Sequence, residues 1–97
     1  MKLNSKDIRY LRSLAHNRKV IVSVGNDGIT KGVVNELDLS LQKHELIKVK
    51  LTGDTRDSRK ICLERLSAAV DAEVVQLIGK IGVLYRAAKT PEIKLPG

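Results

Sequence analysis

The chain has 97 residues, a length that suits one domain with one hydrophobic core of modest size. Its 18 basic and 11 acidic residues give a formal net charge of +7, which favours a polyanionic partner; the alternative is that the lysines only confer solubility. Cys62 is the only cysteine, so an intramolecular disulfide is excluded, and one cysteine with two histidines cannot supply the roughly four ligands of a zinc site.

The apolar residues of the first half predict two helices with a strand between them. Ser5 is the predicted cap of a first helix that ends at Asn17. Residues 19–24 follow as a short run rich in valine and isoleucine, which is typical of a buried strand. After a turn that contains glycines, Thr30 is the predicted cap of a second helix, which runs to about His44.

The strand predicted within residues 44–51 has two different faces. Apolar residues occupy one face, and the other face carries Lys48 and Lys50 beside one leucine. Because the lysines are two residues apart, their backbone positions lie roughly 7 Å apart, close to the phosphate repeat of a nucleic acid strand. Such a lysine pair is also compatible with an ordinary solvated face.

The last part of the sequence predicts a helix followed by a hairpin. The helix begins at Thr55 or Asp57 and ends near Asp71, with its apolar residues on one side. Strands at residues 73–78 and 83–86 follow, and the glycine-containing segment between them predicts a tight turn.

The predicted order of elements, α-β-α-β-α-β-β, defines the fold class. We expect an α/β domain, a two-layer α+β sandwich in which three helices cover a four-stranded mixed sheet. The helices between strands are long enough for right-handed crossovers, so the first three strands can run parallel, and the hairpin adds an antiparallel strand. Residues 1–97 form one domain in this prediction, with residues 89–97 as a loose basic tail.

Residues 25–28 read Gly-Asn-Asp-Gly between the first strand and the second helix. This sequence is neither a dinucleotide fingerprint nor a P-loop, but it matches G-x-x-G, a turn that some RNA-binding domains use to grip the sugar–phosphate backbone. Glycines let the main chain approach phosphates, and the amides that begin the following helix point at the anion. The turn is also compatible with simple turn geometry.

Hydroxyl and basic side chains elsewhere in the chain strengthen the interpretation of RNA binding. Thr30 and Lys31 follow the glycine turn, Lys80 lies in the hairpin turn, and Arg86 lies in the last strand. The candidate RNA-binding residues are Gly25, Asn26, Asp27, Gly28, Thr30, Lys31, Lys48, Lys50, Lys80 and Arg86. Lys6 and Arg9, on the first helix, extend this basic surface.

Other site chemistry is poorly supported. Cys62 lies on the apolar face of its helix, and the two histidines lie at helix ends, so no nucleophile has a base beside it. Asp54 and Asp57 occupy positions where helices begin, which explains them without catalysis. We therefore predict no enzymatic activity, no cofactor, no metal and no small-molecule substrate.

Tyr10 and Tyr85 are the only aromatic residues. A sheet that reads bases by stacking needs aromatic platforms. We therefore expect this protein to contact the backbone and shape of RNA rather than to read a long single-stranded sequence.

Three segments, LAHNRKVIVSVGNDGIT, HELIKVKL and VQLIGKIGVLYR, together resemble the CRM domain (chloroplast RNA splicing and ribosome maturation) in its short bacterial form, the YhbY family. The resemblance covers about residues 3–95. It implies a fold similar to the C-terminal domain of bacterial translation initiation factor three and RNA binding through the glycine loop and a basic surface. Bacterial members associate with precursors of the large ribosomal subunit, and plant members associate with group II introns.

The resemblance places the family's loop on residues 25–28 with Thr30. Its basic positions fall on Lys48, Lys50, Lys80 and Arg86. Many members carry a lysine or arginine inside the loop, whereas this chain has Asn26 and Asp27. Because a carboxylate repels phosphate, we expect Asp27 to bond back to amides of the turn.

We interpret the sequence as that of a non-enzymatic RNA-binding protein that docks on structured ribosomal RNA and assists assembly of the large subunit. We expect a cytoplasmic monomer without a membrane span. The alternative is an adaptor that docks an acidic ribosomal or regulatory protein, whose binding would survive ribonuclease. Charge does not exclude DNA, but no recognition helix with base-reading residues stands out.

Overall fold

The computed structural model describes residues 2–97 as three helices and four strands in the predicted order. The helices are α1 (Ser5–His16), α2 (Lys31–His44) and α3 (Arg56–Val70), and the strands are β1 (Val20–Ser23), β2 (Leu46–Lys50), β3 (Glu73–Ile78) and β4 (Ile81–Tyr85). The predicted element order and α/β class are confirmed.

The four strands form one mixed sheet in the spatial order β1-β2-β4-β3. β1 pairs parallel with β2, and β4 pairs antiparallel with both β2 and β3. The first three strands therefore run in the same direction, as the crossover argument predicts, and β4 inserts between β2 and β3. The carboxyl ends of β1, β2 and β3 share one end of the sheet.

Each face of the sheet carries its own hydrophobic core. On one face, Leu37 of α2 and Leu63 of α3 pack against the apolar side of β2. On the other face, Leu11 of α1 packs with Leu46 and Tyr85. The predicted two-layer arrangement describes the sheet with α2 and α3, and α1 adds a layer on the opposite face.

The first helix begins with a different cap from the one predicted. The Asn4 side chain accepts the N–H of Asp7 at 2.8 Å, and the Asp7 carboxylate accepts the N–H of Asn4 at 3.3 Å. This reciprocal pair satisfies two amide donors at once. Ser5 could not form it, because the pair needs a spacing of three residues and Asp7 lies only two residues after Ser5. Ser5 is accordingly the first helical residue.

Two strands also differ from their predicted form. β1 is an edge strand rather than a buried one: Val22 is fully buried, but Val20 and Ile21 are 40% and 45% exposed. A valine-rich run has the same sequence pattern at an edge as in the middle of a sheet. The hairpin turn consists of Gly79 and Lys80 alone, because β4 already begins at residue 81.

The tail, residues 89–97, has no helix or strand but is docked rather than loose. The buried carboxylate of Glu45 accepts the backbone N–H groups of Ala88 at 3.0 Å, Glu92 at 2.8 Å and Ile93 at 3.0 Å. The side chain of Ile93 also packs against the core beside α1. The expectation of a loose tail is corrected, because one internal acceptor satisfies several tail amides.

Glu45 ends α2 and is charged at neutral pH despite its burial. Burial alone raises the pKa of this carboxyl, but the N–H donors of Ala88, Glu92 and Ile93 and the Arg18 guanidinium outweigh it, so the pKa lies below its ordinary value of 4.5. Because the folded-state pKa is the lower one, the carboxylate contributes its full stabilisation above the unfolded pKa. That contribution is lost as the pH falls through the folded-state pKa.

We expect Glu45→Gln to lower the free energy of unfolding near pH 7 by about 2 kcal/mol, since hydrogen bonds to a charged acceptor are worth roughly 1.5–3 kcal/mol. Urea unfolding of both proteins over a series of pH values from 7 downward measures this. The difference between them should shrink only as the pH falls through the folded-state pKa of Glu45, where the wild-type carboxyl becomes protonated. Glu36→Gln, on the exposed side of α2, is the control, and a difference that stays constant down to the acid unfolding of the protein would contradict this assignment.

Candidate nucleic-acid interface

The glycine turn, residues 25–28, lies at the end of the sheet where three strands finish. The N–H of Val24 donates to the carbonyl of Lys50 at 2.8 Å, and the N–H of Leu51 donates to the carbonyl of Lys80 at 2.7 Å. These two hydrogen bonds hold three segments side by side: the C-terminal ends of β1 and β2, and the turn between β3 and β4. The structure therefore brings the glycine turn together with Lys50 and Lys80.

The two glycines of the turn have different roles. The N–H of Gly28 donates to the carbonyl of Gly25 at 3.0 Å, and Gly28 has a φ of +74°, a conformation that L side chains rarely adopt. Gly25 has no positive φ, and a Cβ added there would meet nothing within 4 Å. The fold therefore requires glycine at position 28 but not at position 25.

A third glycine, Gly32, lies in the first turn of α2, so the backbone there is also without a side chain. Thr30 caps the helix, its Oγ1 accepting the N–H of Val33 at 3.1 Å. The N–H groups of Lys31 and Gly32 lie before the first intrahelical acceptors and point out of the helix. A Cβ on Gly32 would make only an ordinary 3.7 Å contact with Thr30. Sequence reasoning missed Gly32, although its position beside the cap was visible.

The loop side chains Asn26 and Asp27 are both exposed. The expectation that Asp27 bonds back to the turn is not met, because its carboxylate has no hydrogen-bond partner within residues 2–97. An exposed carboxylate at this place opposes a phosphate. Any anion bound here is consequently held by the backbone and the surrounding lysines.

Lysines lie around the turn, and those of β2 are on the face of the sheet that carries α1. Lys50 and Lys80 are exposed, and Lys50 pairs in register with Ile81, directly after Lys80. Lys48 is half-buried, with its Nζ 3.5 Å from the carbonyl of His16 at the C-terminal end of α1. Lys31 is exposed at the start of α2.

Helix α1 contributes Lys6 and Arg9, which the sequence analysis named, and also Arg12 and His16, which it did not assign to the site. Arg12 and His16, one helical turn apart, line a depression together with Lys48. Arg9 lies on the same side of α1, and Lys6 is exposed further round the helix. The spacing of these basic residues along one side of a helix was visible in the sequence. Only the packing of α1 across the sheet, which the sequence does not give, places them beside β2.

Arg86 is not brought to this surface. It follows β4 at the end of the sheet opposite the glycine turn. Its guanidinium donates to the Asp38 carboxylate at 2.7 Å, to the Val70 carbonyl at 2.7 Å and to the Asp38 carbonyl at 3.0 Å. Arg86 therefore joins α2 to the end of α3 and is not part of the surface around the glycine turn.

The two tyrosines supply no stacking platform beside the turn. Tyr85 is 1% exposed, and burial raises the pKa of its phenol, with the Glu45 and Asp7 carboxylates adding to the effect. Tyr10 is partly exposed on α1, four residues after Lys6 in the sequence. The groups available to a ligand at the turn are therefore backbone, cationic and aliphatic ones.

Within residues 2–97, no group of three or more His, Cys, Asp or Glu side chains could hold a metal ion. Over the same residues, no helix is long and apolar enough to cross a membrane.

The fold and this surface define a small basic α/β domain with a glycine turn at the carboxyl end of its sheet. The CRS1/YhbY (CRM) domain family matches residues 3–86, and the chain belongs to this family.

Named relatives cover nearly the whole chain. It is 38% identical over 94 residues to an "RNA-binding protein" of Haemophilus influenzae, covering 97% of this chain and 95% of that one. It is 33% identical over 95 residues to the "Probable RNA-binding protein YqeI" of Bacillus subtilis, covering 97% and 99%. These relatives are named as RNA-binding proteins and not as enzymes.

A solved structure supports the fold directly. The solution structure of the hypothetical protein SAV1595 from Staphylococcus aureus is similar to this chain with a TM-score of 0.86 and 43% sequence identity. The match covers 98% of this chain and 100% of that one.

We expect Gly28→Ala to lower the free energy of unfolding by about 1–2 kcal/mol, because alanine is strained at a positive φ. Gly25→Ala should leave the free energy of unfolding unchanged within about 0.5 kcal/mol, since its Cβ meets no neighbour. Chemical unfolding of both variants measures the contrast. A loss at Gly25 as large as the loss at Gly28 would mean that the fold itself requires both glycines.

Proposed function

We propose that this protein binds RNA by holding the sugar–phosphate backbone at the glycine turn. The observation that carries the proposal is Gly25, whose missing side chain serves no need of the fold. A bare residue at an exposed turn is explained when another backbone approaches closely. The outward N–H groups of Lys31 and Gly32, at the positive end of the α2 dipole, supply donors to a phosphate there.

The charges around the turn fit an extended polyanion rather than a single small anion. Lys50 and Lys80 lie beside the turn, and Lys48 continues the basic surface across the sheet toward α1. Successive cations along one face match successive phosphates of a nucleic acid strand. RNA rather than DNA is the class of polymer named for the relatives, which supports the choice.

The RNA that we propose is ribosomal, and the process is assembly of the large ribosomal subunit. The resemblance to the bacterial YhbY form supports this choice, since those members associate with large-subunit precursors. A domain that binds backbone and shape suits folded ribosomal RNA, where much of the exposed surface is phosphate. The protein acts in this proposal as a cytoplasmic monomer, without catalysis and without a small-molecule substrate.

Two variants of the loop test the role of the turn, because they should change the affinity for RNA in opposite directions. Gly25→Ala should weaken binding to a structured ribosomal RNA fragment roughly tenfold, because a methyl group blocks the approach of the backbone at a cost of about 1.4 kcal/mol. Asp27→Asn should strengthen binding about fivefold at low salt, because one repulsion of about 1 kcal/mol is removed.

Fluorescence anisotropy titrations measure both loop variants. Asp71→Asn, at the far end of α3, is the control for removing one negative charge and suits the left-handed conformation there. Unchanged affinity of a folded Gly25→Ala protein would place the phosphate contact elsewhere.

The double variant Lys48→Glu/Lys50→Glu should weaken RNA binding at least tenfold near 0.1 M salt and reduce the salt slope of log affinity by about 2. Lys60→Glu/Lys89→Glu changes the net charge equally at exposed positions on α3 and in the tail, and is the matched control. Equal losses in both doubles would indicate binding through net charge alone.

The same double variant has a cellular readout. Tagged wild-type protein should sediment with large-subunit precursors in a sucrose gradient, and ribonuclease should release it. The Lys48→Glu/Lys50→Glu protein should stay at the top of the gradient. Association that survives ribonuclease would instead favour an adaptor that docks an acidic protein.

A further inference from the structure

A shallow depression of about 260 Å³ lies between α1 and the face of the sheet beneath it. Apolar side chains form its floor, and polar or basic side chains form its rim; the floor is Ile78, Ile81 and Val83, and the rim is Arg12, His16, Lys48 and Gln76. Ile78 is 62% exposed, a large unburied area for an isoleucine within a strand. α1 leaves this part of the sheet uncovered.

A β-bulge turns Gln76 to this face. The pairing of β3 with β4 shifts between Val74 and Gln76, and Gln76 lies opposite Val83. Val75 belongs to the core beside α1, while Leu77 packs against the core under α3. Strict alternation would have put Gln76 on the side away from α1. Bulges commonly re-aim one side chain at a functional place, and here the re-aimed side chain is an amide.

The cations of the rim are positioned but not neutralised. The Nε–H of Arg12 donates to the carbonyl of the bulged Val75 at 3.3 Å, which fixes the guanidinium beside the depression. Its two Nη groups have no hydrogen-bond partner within residues 2–97. No acidic residue lines the depression. Its charge is therefore complementary to an anion, while its floor is complementary to an apolar surface.

We propose that the depression binds one unpaired base of the RNA strand whose backbone lies at the glycine turn, an inference that rests on the proposed function. The flat face of the base lies on Ile78 and Ile81. Its polar edge pairs with the Gln76 amide, which both donates and accepts hydrogen bonds. The flanking phosphates meet Arg12 and Lys48.

Size and continuity favour a single nucleotide over other occupants. The depression is smaller than the roughly 300 Å³ at which pockets for drug-sized ligands begin, so it suits one heterocycle. Lys48 lines it and Lys50 continues from it toward the glycine turn, so one strand can reach both places. A fully paired duplex cannot place a stacked base there, so the preferred RNA contains an unpaired residue.

The test uses two RNA duplexes that differ by one bulged nucleotide in the middle of one strand. The wild-type protein should bind the bulged duplex about fivefold more tightly in anisotropy titrations, as one added hydrogen bond with its apolar contact predicts. Gln76→Ala and Ile78→Ala should abolish this preference and leave affinity for the paired duplex unchanged. Ile61→Ala, at an isoleucine that is 51% exposed on α3 across the sheet, is the control and should keep the preference.

The outcomes separate this inference from the proposed function. If wild-type protein binds neither duplex or any structured RNA, the proposed function fails. If it binds both duplexes equally, or if folded Gln76→Ala keeps the preference, RNA binding stands and the base site is wrong. If poly-glutamate binds wild-type protein but not Ile78→Ala while both duplexes bind equally, the depression docks an acidic protein and the inference is overturned.

Discussion

The alternation of β2 between two separate cores is the constraint on which the rest of the structure depends. Ile47 and Val49 are fully buried under α2 and α3, and Leu46 is fully buried on the side of α1. A shift of register by one residue would exchange the faces of every side chain and expose both cores. Lys48 and Lys50 are therefore fixed on the α1 face by the burial of their neighbours. The backbone that carries these lysines is held by the core, so little backbone entropy is lost when a partner binds, and the entropic cost falls on the exposed lysine side chains.

The two ends of the sheet have different chemistry. At the end away from the glycine turn, Arg86 is bonded to Asp38, Arg18 donates to backbone carbonyls, and Glu45 accepts amides of the tail. These polar groups are satisfied internally and stabilise the junctions between helices and tail. At the turn end, Lys50 and Lys80 form no ion pair with any acidic side chain of residues 2–97.

The predictable parts of this structure are those set by local pattern. The helices, the order of the elements along the chain and the faces of β2 follow from apolar spacing over a few residues, and Thr30 and Thr55 cap their helices as their positions suggest. The unpredicted parts depend on contacts between distant residues. Arg86 reaches Asp38 across 48 positions, and Glu45 reaches the tail across more than 40. Gly82 falls in the predicted turn between residues 73–78 and 83–86, but it lies in β4, where a Cβ would lie 2.5 Å from Leu63, so β4 needs glycine for contact with α3.

The near absence of aromatic residues shapes what recognition by this domain can be. Tyr85 is buried, so a base can meet only aliphatic side chains and an amide on the sheet, and each such contact is weaker than stacking on an aromatic ring. In the binding mode that we propose, selectivity comes from satisfying two places at once, the glycine turn and the depression beside α1. Because β2 fixes the separation of these places, a strand that occupies the first presents its next nucleotides to the second at high effective concentration. A folded RNA with the matching geometry gains both contacts, whereas a paired or differently shaped RNA gains only the electrostatic one.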